Sequence, residues 1–202
     1  MLVTSRLRSG LPSLRRAEEA ALIRAAIANS NVRGRQLEPA RGGGAARGVA
    51  PFQVVHHSIQ SNHLHLIVEA ADRASLTSGM RGLLIRIART LNRLWGRSGP
   101  VFGDRFHERE LRNPLQVRNA LVYVLQNLRK HGICMQGPDP FSSGEEFDGW
   151  SRGARCGGSA RRASAVQLRA ARTEAPSPST WLLGVGWQRH GLIHPNECPR
   201  VP

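Results

Sequence analysis

The chain has 202 residues and a formal charge of +15 at neutral pH, from 29 basic and 14 acidic side chains. All the basic residues but Lys130 are arginines, whose planar forks bind phosphate in bidentate fashion, so a nucleic acid is the expected partner. Cys134, Cys156 and Cys198 are too scattered for a zinc ribbon or a disulfide framework, and no apolar run or signal core suggests a membrane or an export route.

The length allows one domain with a real core and an appended tail, and the expected location is the cytoplasm. In chain order, Met1 to Leu7 reads as a first strand. Gly10 and Pro12 break it, and Ser13 is placed to cap a helix running to about Asn29, with Leu14, Ala21, Leu22, Ala25 and Ala26 on its buried side. Residues 33–50 are rich in glycine and arginine and carry no periodicity, so they read as a flexible loop.

Val54 to Glu69 reads as a hairpin turned at Gln60-Ser61-Asn62. Its second strand carries His63 and His65 one residue apart. Alternation sends both imidazoles to one face and Leu64 and Leu66 to the other. A histidine pair on a strand more often lines a polar face than holds a metal. The turn just before it, however, leaves the pair near an edge that a substrate can reach.

Asp72 to Arg97 reads as a long amphipathic helix, its apolar stripe made by Leu76, Met80, Leu83, Leu84, Ile87, Leu91 and Leu94. Arg86, Arg89 and Arg93 fall together on another face, which suits either a phosphate backbone or plain solvent. Arg105 to Arg112 reads as a strand with Arg105, His107 and Arg109 on one side. Asn113 and Pro114 then start a helix that buries Val117, Leu121, Val124, Leu125 and Leu128 and ends at Lys130, His131 and Gly132. On that helix Tyr123 and Asn127 are separated by about 40°, one turn apart, so both can address one site. Gln126 is the second choice, about 60° from Tyr123 on the other side.

Beyond Ile133 the composition changes. Phe141, Phe147 and Trp150 suggest a segment laid against the domain, 153–178 reads as a linker, and 180–193 as a docking segment with Trp181, Leu182, Leu183 and Trp187. The element order implies an α+β fold, a ferredoxin-like antiparallel sheet with helices packed on one face plus an irregular C-terminal tail.

His63-Leu64-His65 followed by Leu66-Ile67-Val68-Glu69, the arginine-striped helix, Arg105-Phe106-His107, and Tyr123 with Asn127 four residues on together resemble the single-tyrosine HUH transposases. The branch they look most like is the REP-associated tyrosine transposases, over residues 1–132. The resemblance implies a nuclease domain that cuts single-stranded or hairpin DNA through a 5′-phosphotyrosine intermediate. It implies Tyr123 as nucleophile and His63, His65 and Asn127 as ligands of a divalent ion, magnesium or manganese. Arg86, Arg89, Arg93, Arg105, His107 and Arg109, on their charge and placement, are the candidate DNA contacts.

The chemistry is coherent, because a phenol with a pKa of about 10 is a poor nucleophile unless the phosphate it attacks is activated. The loop over Gln36 to Ala50 is longer than the family needs, and the first strand begins almost at Met1. A transposase-derived protein that binds DNA or RNA without cutting it is the alternative reading. Nothing in the sequence distinguishes a monomer from a homodimer.

Overall fold

The computed structural model describes residues 1–36, 51–130, 137–151 and 176–199. Four strands, β1 (Leu2–Arg6), β2 (Phe52–Ile59), β3 (His63–Ala70) and β4 (His107–Arg109), form one antiparallel sheet in the order β2-β3-β1-β4. With α1 (Ala17–Gln36) and α2 (Arg73–Leu94) as the connections, this is the ferredoxin-like arrangement expected from the sequence.

Helices α1 and α2 lie together on one face of the sheet. Val3, Leu64, Leu66 and Val68 meet Ile23, Ile27, Leu76, Met80, Leu83, Ile87 and Leu91 there in one buried cluster. Gly79 lets α2 approach closely, because a Cβ at that position would occupy the space of the Phe52 ring. Asp72 caps α2 by accepting a 2.6 Å hydrogen bond from the backbone N–H of Ser75. Leu94, expected in the stripe, is partly exposed in the last turn before Trp95 and Gly96 end the helix.

The opposite face is also covered. Helix α3 (Pro114–Leu125) packs there on Val55 and Ile67, joined by Phe147, Leu183, Trp187 and Ile193 from the C-terminal part of the chain. Expected helices on one face are thus α1 and α2, while α3 lies on the other. This explains why the side chains of β3 are almost all buried despite alternating between faces. A bulge in β2 between Val54 and His56 turns Val55 and His56 toward the α3 side in succession.

Three elements differ in extent from the sequence expectation. The first helix starts at Ala17, not Ser13, because the backbone N–H of Leu14 donates to Ser61 and Arg15 makes a bidentate pair with Asp139. It continues past Asn29 to Gln36, and Asn31 brackets Val54 with hydrogen bonds of 2.8 and 3.0 Å to its N–H and C=O. Strand β4 is three residues long, and Arg105 precedes it.

The linker expected over 153–178 lies almost wholly outside the described residues, as does most of the 33–50 loop. In the segment expected to dock, a short helix α5 (Trp181–Gly184) and a 3-10 turn (Gly186–His190) bury Leu183 and Trp187. Among the described residues no helix is long and apolar enough to cross a membrane.

Candidate active site

The site is built across the sheet. Residues paired directly in an antiparallel ladder share a face, and Thr4 pairs with both His65 of β3 and His107 of β4. Arg6 pairs with His63, and Leu2 with Ile67 and Arg109. His63, His65, His107 and Arg109 therefore all lie on the α3 side. Helix α3 completes the group by laying Tyr123 edge-on to His65, with ring centroids 4.9 Å apart.

The distances are short. The Nε2 atoms of His63 and His65 are 2.9 Å apart, and the Tyr123 hydroxyl is 3.3 Å from Nε2 of His65. Each imidazole is held through its other nitrogen, His63 Nδ1 by Asn62 Oδ1 at 2.8 Å and His65 Nδ1 by Thr4 Oγ1 at 2.9 Å. In the tautomer with Nδ1–H donating to those oxygens, both Nε2 atoms would present lone pairs toward one another's side of the site. This is the tautomer a metal-binding histidine needs. His65 is buried and His63 half-buried.

Asn127 falls where the helix is interrupted. The sequence suggests one continuous helix through Lys130, but α3 ends at Leu125, Gln126 has φ −117° and ψ 17°, and a separate turn α4 (Asn127–Lys130) follows. The break has a tertiary cause. Gln126 is buried and its amide N–H groups donate to the carbonyls of His194 and Pro195, while its Oε1 accepts from Arg129. Asn127 is 1 % exposed, and its Oδ1 has no hydrogen-bond partner among the described residues.

An orphaned buried carbonyl oxygen costs about 1–3 kcal/mol unless something outside the chain satisfies it. The two imidazole nitrogens, 2.9 Å apart, also match the spacing of neighbouring ligands on one ion, which is about 3 Å for bonds of about 2.1 Å at right angles. The residues present therefore fit a divalent first-row ion. Among the described residues no group of three His, Cys, Asp or Glu side chains is placed to hold a metal ion.

The arginines divide between the two faces. Arg89 and Arg93 are exposed on α2, behind the sheet, whereas Arg86 donates to Ser30 Oγ at 2.7 Å and lines a cleft with Arg33. Burial and the Arg33 charge both push the Arg86 pKa down. His107, Arg109 and Arg105 are exposed around β4 on the other edge. Arg6 and Thr4 were not legible as site residues, since only strand pairing brings them beside the histidines.

The fold is a ferredoxin-like sheet on which two strand histidines face a helix-borne tyrosine. A solved structure of a REP-associated tyrosine transposase bound to a REP hairpin matches it with a TM-score of 0.50 and 20 % sequence identity, over 70 % of this chain and 74 % of that one. No protein-family model and no curated protein matches the sequence.

Proposed function

We propose that the chain is a transposase-type single-strand DNA endonuclease and strand transferase. The observation that carries this reading is the approach of the Tyr123 hydroxyl to 3.3 Å from His65 Nε2, itself 2.9 Å from His63 Nε2, on a fold shared with a tyrosine transposase.

Tyr123 Oη attacks the scissile phosphorus, forming an O–P bond as the bond to the 3′ oxygen breaks. The products are a 5′-phosphotyrosine and a free 3′-OH, and the proton given up by the phenol is balanced by the one gained at the 3′ oxygen. Because one phosphodiester replaces another, the 3′-OH can later attack the phosphotyrosine and rejoin a strand. A divalent ion held by His63, His65 and Asn127 would draw charge from the phosphate and so stabilise the transition state. The protein's own part is orientation: Thr4 and Asn62 hold the imidazoles, and α3 holds the phenol beside them. His107, Arg109 and Arg105 would meet the strand at the open edge, and Arg89 and Arg93 offer a second contact surface behind the sheet.

Hairpin DNA is the partner this reading favours, since the matching structure holds one. The test is incubation of labelled single-stranded hairpins with the protein and manganese, then denaturing electrophoresis. Covalent adducts that vanish with a chelator and in His63→Ala and His65→Ala variants support the proposal. Retained binding without any adduct would favour the non-cutting alternative.

A further inference from the structure

Beside Tyr123 lies a cavity of about 560 Å³ between β1, the segment after β4, and the outer side of α3. Gln116, Asn119 and Tyr123 all line it, and their spacing of three and then four residues places them on one stripe of the helix. Leu2, Leu111 and Leu115 supply apolar surface around those polar tips. Such a mixture, apolar walls with a few converging polar groups, is the composition of a site for a flat heteroaromatic ligand.

The far wall is rigid. Arg118 pairs with Glu197 through two hydrogen bonds of 2.7 and 2.8 Å and donates also to the carbonyls of Gly191 and Leu192. The two amides are differently committed. Gln116 Oε1 accepts the backbone N–H of Arg112 at 2.8 Å, which leaves its NH2 group as the available donor. The Asn119 side chain is exposed and makes no hydrogen bond to any described residue, so it offers both donor and acceptor. It stands one helical turn before Tyr123, a rise of about 6 Å, comparable with the distance from a phosphate to its own base.

We infer that this cavity receives the unpaired nucleobase of a nucleotide flanking the phosphate presented to Tyr123, with Asn119 and Gln116 reading its edge. The inference rests on the DNA-cutting reading for the identity of the ligand, and it assigns the residues that set sequence preference at the cut. Carboxamides suit this role because they match the adjacent donor and acceptor groups of base edges, while the leucines cover the base's faces.

The experiment uses free deoxynucleoside 5′-monophosphates, with deoxyribose 5-phosphate as the base-less control, and measures binding to the full chain by ligand-observed NMR. The four nucleotides should bind more tightly than the control and in an unequal order. Asn119→Leu, a change at an exposed helix position that keeps side-chain size, should flatten that order by about fivefold or more while leaving the control unchanged. Equal binding of nucleotides and control, or an order unaltered in both Asn119→Leu and Gln116→Ala, overturns the inference. Since no cleavage is needed, failure here leaves the adduct assay to judge the DNA-cutting reading separately.

Discussion

Thr4 Oγ1 lies 2.9 Å from Nδ1 of His65, across the ladder that joins the first and third strands. Sixty-one residues separate the two in sequence, yet the pairing register puts them directly opposite on one face of the sheet. The hydroxyl thus fixes the orientation of the more buried histidine and directs its Nε2 toward His63 and Tyr123.

Thr4→Val keeps the β-branched shape and removes only this hydrogen bond. Losing an orienting partner behind a metal ligand typically costs ten- to a hundredfold in metal affinity, so the manganese concentration for half-maximal adduct formation should rise by about tenfold or more. Thr4→Ser should restore most of it. An unchanged manganese dependence in Thr4→Val would remove Thr4 from the site.

Asn127 and Gln126 are neighbours with separable roles. Gln126 ties the helix end to the carbonyls of His194 and Pro195, so Gln126→Ala should destabilise the protein by about 1–3 kcal/mol. Asn127→Ala removes an oxygen that bonds nothing among the described residues, and should raise the metal requirement with a smaller loss of stability. Melting temperature and manganese titration, measured on both variants, distinguish these outcomes. A larger metal defect in Gln126→Ala would reverse the assignment.

Much of the architecture follows from short-range pattern. Alternation in His63-Leu64-His65-Leu66 sorts the two faces of β3 without reference to the rest of the chain, and Asp72, Asn113 and Pro114 mark helix starts by their own chemistry. What escapes the sequence is set by contacts distant along the chain. The break at Gln126 depends on carbonyls about 70 residues later, as the 69-residue separation from Pro195 shows. It also invalidates the uniform 100° rotation used to relate Tyr123 to Asn127. Likewise the placement of α3 opposite α1 and α2 depends on Phe147, Leu183 and Trp187 arriving to cover that face.

The two histidines on β2 give a pH signature distinct from the site. His56 is buried against Phe147, and His57 Nε2, on the α1 side, is buried without a hydrogen-bond partner among the described residues. Burial pushes His56 down to about 4, against weak opposition from Asp148 and Glu69. Burial, helped by Arg24 and His56, pushes His57 down to about 3. In the unfolded chain both take up protons near 6.5, so below that pH the unfolded state binds more protons and stability falls. The loss should begin near pH 6.5 and continue through pH 4, with His56 alone contributing roughly 3 kcal/mol. Urea midpoints at pH 7.5 and 4.5 measure it, and His56→Gln should reduce the difference. Equal midpoints at the two pH values would contradict it.

Salt dependence tests the arginines behind the sheet. If Arg89 and Arg93 contact phosphates, replacing both with alanine should make the slope of log affinity against log salt shallower by about one to two. Arg105→Ala with Arg109→Ala should do the same from the β4 edge. A slope unchanged in the first pair would leave DNA on the histidine face alone.

The central claim is that Tyr123 is the nucleophile, and mass spectrometry of the protein–DNA adduct tests it most directly. Wild-type protein incubated with single-stranded hairpin DNA and manganese should yield a peptide carrying the 5′-phosphate on Tyr123, the only tyrosine of the chain. Tyr123→Phe should form no adduct while binding the hairpin with nearly unchanged affinity, because the hydroxyl is the reacting atom and arginine–phosphate contacts supply most of the binding. Adducts of undiminished yield in Tyr123→Phe, or a phosphate mapped to another residue, would contradict the account.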